Sequence, residues 1–112
     1  MKTIIFIDNY DSYRFLLQEE LLEEGFEVIT AKNIEEALLT LKGVKPDLLI
    51  LDLSEKATRE ESFDKLKKQY PDIPWVGHSA YVECPCEFKK WINYYISKSP
   101  EIDGIRELVR SL

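Results

Sequence analysis

Apolar residues fall along this chain in two alternating rhythms. Thr3–Ile7 and the Leu48-Leu49-Ile50-Leu51 centre of segment 47–53 are nearly unbroken apolar runs, the pattern of strands buried on both faces. Segments 26–31, 73–79 and 93–97 are mixed runs with β-branched and aromatic side chains and predict three more strands. Between them the period becomes helical. A first helix starts with Asp11 or Ser12 as its cap, runs to about Glu24 with Leu16, Leu17, Leu21 and Leu22 on one side, and stops at Gly25. Asn33 and Glu36 form a capping box for a second helix over 33–42, with Ile34, Ala37, Leu38 and Leu41 on its apolar face and Gly43 at its end.

A second capping box, Thr58 with Glu61, opens a third helix that turns Phe63, Leu66 and Tyr70 inward until Pro71 forbids continuation. Pro85 is placed to start a short fourth helix carrying Phe88 and Trp91. Ser99-Pro100 starts a fifth, with Ile102, Ile105, Val109 and Leu112 on its apolar face. Five strands alternating with five helices imply right-handed crossovers and a parallel sheet covered on both sides. The most apolar strands, the first and third, belong at the centre, which predicts the order 2-1-3-4-5 and places ligand chemistry at the carboxyl ends of those two.

With 112 residues the chain is expected to be a single domain over 1–112. Hydrophobic residues make up 45% and aromatic ones 12%, enough for a core that needs neither metal nor disulfide, so intrinsic disorder is excluded. The net charge of −6 and the lack of a Lys/Arg stripe argue against nucleic acid and anionic membranes as partners. No segment suits a signal peptide or a membrane span. Cys84 and Cys86, one residue apart, carry no disulfide framework and are expected as free thiols in a reducing cytoplasm. With His78 they offer at most three poorly arranged metal ligands, and His78 itself is read as a satisfied strand histidine. The run Glu19-Glu20 with Glu23-Glu24 is read as the solvated face of the first helix.

The predicted strand ends bring a specific set together: Asp8-Asn9, Asp52, Ser79 and Lys98. Two carboxylates and an amide supply hard oxygens of the kind that Mg²⁺ accepts while keeping several waters. A lysine and a hydroxyl are the groups that hold the oxygens of a small anion, and together with a central carboxylate they point to phosphoryl transfer with Asp52 as acceptor. No P-loop or dinucleotide fingerprint is present.

The ordered motifs Ile7-Asp8-Asn9, Leu51-Asp52-Leu53, Val76-Gly77-His78-Ser79-Ala80-Tyr81 and Tyr94-Tyr95-Ile96-Ser97-Lys98 resemble the receiver domains of two-component response regulators over essentially the whole chain. The resemblance implies a flavodoxin-like (βα)5 three-layer α/β sandwich. It implies a histidine kinase or phosphotransfer protein that donates a phosphoryl group to Asp52, and Mg²⁺ held by Asp8, Asn9, Asp52 and the backbone carbonyl of Ser54. Ser79 and Lys98 would bind the phosphoryl oxygens, and Tyr95 would be the aromatic switch that turns inward on activation. The chain departs from the family pattern at Asn9, where an acid is usual, in the loop Ser54-Glu55-Lys56-Ala57, in a short segment between Ser79 and Lys98, and in Ser99 after the lysine.

A second likeness is confined to segment 6–13, which resembles the opening of class I glutamine amidotransferase subunits. Their nucleophilic Cys elbow and His-x-Glu pair have no counterpart here. The expectation is therefore a receiver without an attached output domain, signalling by protein contact and not an enzyme beyond turning over its own phosphoryl group. Segment 88–95, with the last helix, is read either as a self-association patch or as a plug of the core beneath a shortened helix, the downstream protein is unspecified, and the alternative is a degenerate receiver that binds a partner without phosphorylation.

Overall fold

In the computed structural model, which describes residues 2–53, 60–98 and 103–111, the apolar runs form five parallel strands. These are β1 (Thr3–Ile7), β2 (Glu27–Ala31), β3 (Leu48–Asp52), β4 (Trp75–Ser79) and β5 (Tyr94–Ser97). Their order in the sheet is β2-β1-β3-β4-β5, as expected from the distribution of apolar runs. Every residue of β3 and β4 is buried, whereas the edge strands β2 and β5 mix buried or half-buried positions with exposed ones. A strand covered on both faces has no use for alternation; an edge strand does.

Among the described residues four helices cover the sheet: α1 (Asp11–Glu23), α2 (Ile34–Thr40), α3 (Glu60–Gln69) and α4 (Asp103–Ser111). Alternate strand residues feed two cores. Ile4, Phe6, Leu48, Ile50 and Val76 pack with Leu17 and Leu21 of α1 and Ile105 and Val109 of α4. Ile5, Ile7, Leu49, Leu51 and Trp75 pack on the other side with Ala37 of α2 and Phe63 and Leu66 of α3. Both layers fix the register of β1 and β3, because a slip of one residue would exchange the two cores.

The helices correct several expectations. Between β4 and β5 the fourth helix is reduced to a single 3₁₀ turn, Cys86–Phe88, and Trp91 lies beyond it. Backbone bonds here close over three residues, Lys89 N donating to Cys86 O and Trp91 N to Phe88 O. At three residues per turn Phe88 and Trp91 point the same way, and both reach the Phe63 ring, at 5.5 and 5.7 Å between centroids.

The cap of α1 is Tyr10, with no side-chain cap bond, instead of Asp11 or Ser12. Leu16 and Leu22 are exposed. A helix turns about 100° per residue, so of each adjacent leucine pair the sheet takes one, Leu17 and Leu21. Two of the four expected solvated glutamates, Glu20 and Glu24, pair with Arg106 and Arg110 of α4 and tie the helices of one face together. The cap of α2 forms as expected, Glu36 N donating to Asn33 Oδ1 at 2.8 Å. The Thr58–Glu61 box, the loop that begins at Ser54, the Ser99-Pro100 start, Ile102 and Leu112 lie outside the described residues in whole or in part. Among the described residues no helix is long and apolar enough to cross a membrane.

Candidate functional site

Parallel register carries the chemistry-bearing residues to one rim. β1 and β3 pair through Ile7 with Leu51, so Asp8 and Asp52 both emerge at their carboxyl ends. β3 and β4 pair Asp52 with His78, and β4 and β5 pair Ser79 with Ser97, which brings Lys98 level with that rim. Lys98 N donates to Ser79 O at 2.6 Å, fixing the start of its loop.

Lys98 Nζ lies 2.9 Å from Asp8 Oδ2 and 3.4 Å from Asp52 Oδ1. Both carboxylates are buried, at 1% and 2% exposure, and the lysine side chain is 17% exposed. The ammonium thus joins two charges that would otherwise repel each other. Burial raises the Asp8 pKa, an effect that outweighs the hydrogen bond from Tyr10 N and the lysine. For Lys98 burial works downward, but the hydrogen bond to Asp8 and the charges of Asp52 and Asp8 together hold its pKa above the ordinary lysine value. Asp8 Oδ1 accepts from Tyr10 N at 2.9 Å, and Arg14 Nη1 donates to Asp8 O at 2.6 Å, so backbone and side chain at the end of β1 are both fixed.

Ser79 and Tyr95 form a closed hydrogen-bonded ring. Tyr95 Oη donates to Tyr81 O at 2.5 Å, which uses its single proton, so Ser79 Oγ donates to Tyr95 Oη across 2.5 Å. Tyr81 N donates in turn to Ser79 Oγ at 3.3 Å. Gly77 makes room for this arrangement: a Cβ there would lie 2.7 Å from Leu53 Cδ1 and 3.3 Å from Tyr95 Cδ1. The Tyr95 ring rests against β4 because that position has no side chain.

Of the residues expected at the site, Asp8, Asp52 and Lys98 come together, Ser79 and Tyr95 pair beside them, Asn9 is exposed, and Ser54 lies outside the described residues. Among the described residues no group of three or more His, Cys, Asp and Glu assembles as a metal-holding cluster. The buried pair Asp8 and Asp52 still offers the hard oxygens that suit Mg²⁺, which retains most of its waters and needs few protein ligands. Sequence reasoning missed Tyr10 and Tyr13, whose rings lie under the ammonium of Lys98, at 5.3 and 5.1 Å from their centroids. Their signal was a pair of aromatics three residues apart just after the Asp8 strand end. His78, expected to be satisfied, is buried with Nε2 3.4 Å from Tyr13 Oη and Nδ1 without a hydrogen-bond partner.

No protein-family model matches the chain. Solved structures do. The response regulator TrrA from Thermotoga maritima in complex with Mg²⁺–BeF is 31% identical, with 99% of this chain and 98% of that one covered and a TM-score of 0.77. TrrA in complex with the histidine kinase ThkA is 32% identical, with 99% and 97% covered and a TM-score of 0.81. A curated relative, the alkaline phosphatase synthesis transcriptional regulatory protein PhoP of Bacillus subtilis, is 44% identical over 52 residues, 46% of this chain. That match spans 22% of the longer regulator. With the strand order, the paired rim carboxylates and the lysine between them, these likenesses place the chain in the family of two-component response regulator receiver domains.

Proposed function

We propose that the chain is a phosphoacceptor receiver in which Asp52 takes a phosphoryl group from a histidine kinase or phosphotransfer protein. The observation that carries this reading is Lys98 Nζ, within 3.4 Å of Asp52 and 2.9 Å of Asp8 at a rim formed by strand ends. The Asp52 carboxylate attacks phosphorus in line, an O–P bond forms, the N–P bond of the phosphohistidine breaks, and its electron pair returns to the imidazole of the donor. Lys98 neutralises charge on the phosphoryl oxygens as they approach, and Asp8 holds Lys98 beside the acceptor. Asp8, Asn9, Asp52 and the Ser54 carbonyl would hold Mg²⁺, which supplies Lewis-acid neutralisation at the phosphoryl group when bound. A complex of TrrA with the histidine kinase ThkA, and another of TrrA with Mg²⁺–BeF, support both the partner and the ion.

Ser79 has one proton, and Tyr95 Oη holds it. Donation to a phosphoryl oxygen therefore requires Ser79 to leave the ring with Tyr95, so the loop after β4 responds to the state of Asp52. Signal then leaves by protein contact, with the surface around 88–95 and α4 as the candidate face for a downstream protein or a second copy.

A second reading is an adaptor that binds its partner without phosphorylation. It is favoured by Asn9, which removes one of the rim charges usual in the family. Intact mass after incubation with Mg²⁺ and acetyl phosphate separates the two. The acceptor reading expects a gain of one phosphoryl group in the parent and none in Asp52→Asn. No gain in the parent, and no Mg²⁺-dependent rise in melting temperature, overturns it in favour of the adaptor.

A further inference from the structure

Lys98 meets more than carboxylates. The Tyr10 and Tyr13 rings stand one helical turn apart at the start of α1, and Nζ lies 5.3 and 5.1 Å from their centroids, inside the range where the negative face of an aromatic ring attracts a cation. The two rings differ in support. Tyr13 is half-buried, its ring tilted against those of His78 and Phe6 at 5.4 and 6.2 Å between centroids, with its hydroxyl 3.4 Å from His78 Nε2. Tyr10 is 61% exposed, but its backbone N–H is held by Asp8 Oδ1. One ring is a wall anchored in the core and the other a cover anchored to the rim.

We propose that Tyr10 and Tyr13 are positioning residues, an aromatic cradle that holds the Lys98 ammonium over the acceptor carboxylate. The cradle rests on the phosphoacceptor reading for its purpose, but not for its geometry. A lysine side chain is long and loses much rotamer freedom when fixed. Two carboxylates alone fix its charge and not its direction, since an ammonium is a point charge with rotatable donors. Ring faces on the α1 side add a second set of contacts to the ammonium, beyond those of the carboxylates. At this rim Asn9 contributes no charge, and the rings supply negative electrostatic potential without binding a divalent ion in competition with the carboxylates.

The test uses two readouts on the full chain. In ¹H–¹³C NMR spectra the Lys98 Hε protons of the parent are expected upfield of the other lysines through ring currents. Tyr13→Phe keeps that shift, Tyr10→Leu and Tyr13→Leu each lose part of it, and the double Leu variant loses it. In titrations with Mg²⁺ and beryllofluoride, the double Leu variant is expected to weaken binding about tenfold, the scale of two partly desolvated cation–π contacts, while Tyr13→Phe stays close to the parent. An unchanged Lys98 shift in Tyr10→Leu, a surface substitution that leaves the core intact, overturns the cradle. A lost shift with unchanged beryllofluoride binding overturns the positioning role. A parent that binds no beryllofluoride overturns the acceptor reading and the role that rests on it while the ring-current shift persists, so the two failures are told apart.

Discussion

The rim at the ends of β1 and β3 and the connection from β4 to β5 are built in opposite ways. At the rim, each candidate side chain follows directly from a strand whose register is fixed by two apolar cores, and Asp8 and Asp52 both lie within 3.4 Å of the Lys98 ammonium. In the connection almost nothing is regular: a single 3₁₀ turn stands where a helix was expected, and its order comes from Phe88 and Trp91 packed against Phe63. The contrast teaches that the site is an attribute of strand register, whereas the connection is an attribute of side-chain packing. Shortening a helix leaves the rim unaltered as long as something plugs the core beneath it.

The largest expected effect breaks the plug. Phe88 is buried and packs edge-on against Phe63. Phe88→Ala should cost about 3–5 kcal/mol in urea denaturation, the range for removing a buried aromatic ring. The loss should be nearly independent of pH, because no titratable partner is involved. If the connection were merely a surface loop, the cost would fall below about 1 kcal/mol.

That difference between rim and connection also governs what could be read in the sequence. Strands were legible because two-sided burial writes an unbroken apolar run, and their order followed from which runs were least interrupted. Asp8, Asp52, Ser79 and Lys98 were legible because each stands at a strand end. The missing helix was half legible: Pro85 marks a start, but the choice between α and 3₁₀ closure depends on Phe88 and Trp91 both reaching Phe63, a contact between distant segments. Leu16 and Leu22 misled because an apolar residue does not announce whether it faces the sheet or solvent. Glu20 and Glu24 misled likewise, their partners Arg106 and Arg110 being more than 80 residues away in sequence. Tyr10 and Tyr13 were missed because their spacing of three marks only a shared helix side, and the lysine that meets them, Lys98, is more than 80 residues away in sequence.

A second substitution sharpens the rim side of the comparison. Lys98→Met leaves Asp8 and Asp52 buried together without their cation, and at neutral pH should cost about 2–3 kcal/mol, toward the low end of broken buried pairs because the lysine is partly exposed. Its signature is the pH dependence. Burial already raises the Asp8 pKa, and removal of the lysine raises it further. A carboxyl whose folded pKa lies above its unfolded value destabilises the fold at high pH and ceases to do so once both states are protonated. The deficit of Lys98→Met relative to the parent should therefore shrink as pH falls from 7 towards 4, unlike that of Phe88→Ala. A deficit constant over this window would mean that the ammonium does not neutralise the pair.

The smallest of the three effects lies in the parent protein. His78 is 1% exposed, with the Tyr13 and Phe6 rings beside it and Lys98 close enough to repel a second positive charge. Burial first, and Lys98 second, lower its pKa to about 3. In the unfolded chain it returns to about 6.5. Below that value the unfolded state binds a proton that the folded state refuses, so stability falls with pH from about 6.5 down to about 3. At pH 5 the loss amounts to about 2 kcal/mol, before the opposing contribution of Asp8, which grows at lower pH. His78→Val should be less stable than the parent at pH 7, through the space it leaves, yet lose less on acidification to pH 5. The two stability profiles then converge as pH falls. Parallel profiles would place the His78 imidazole in contact with water, and would remove the wall on which the Tyr13 ring rests.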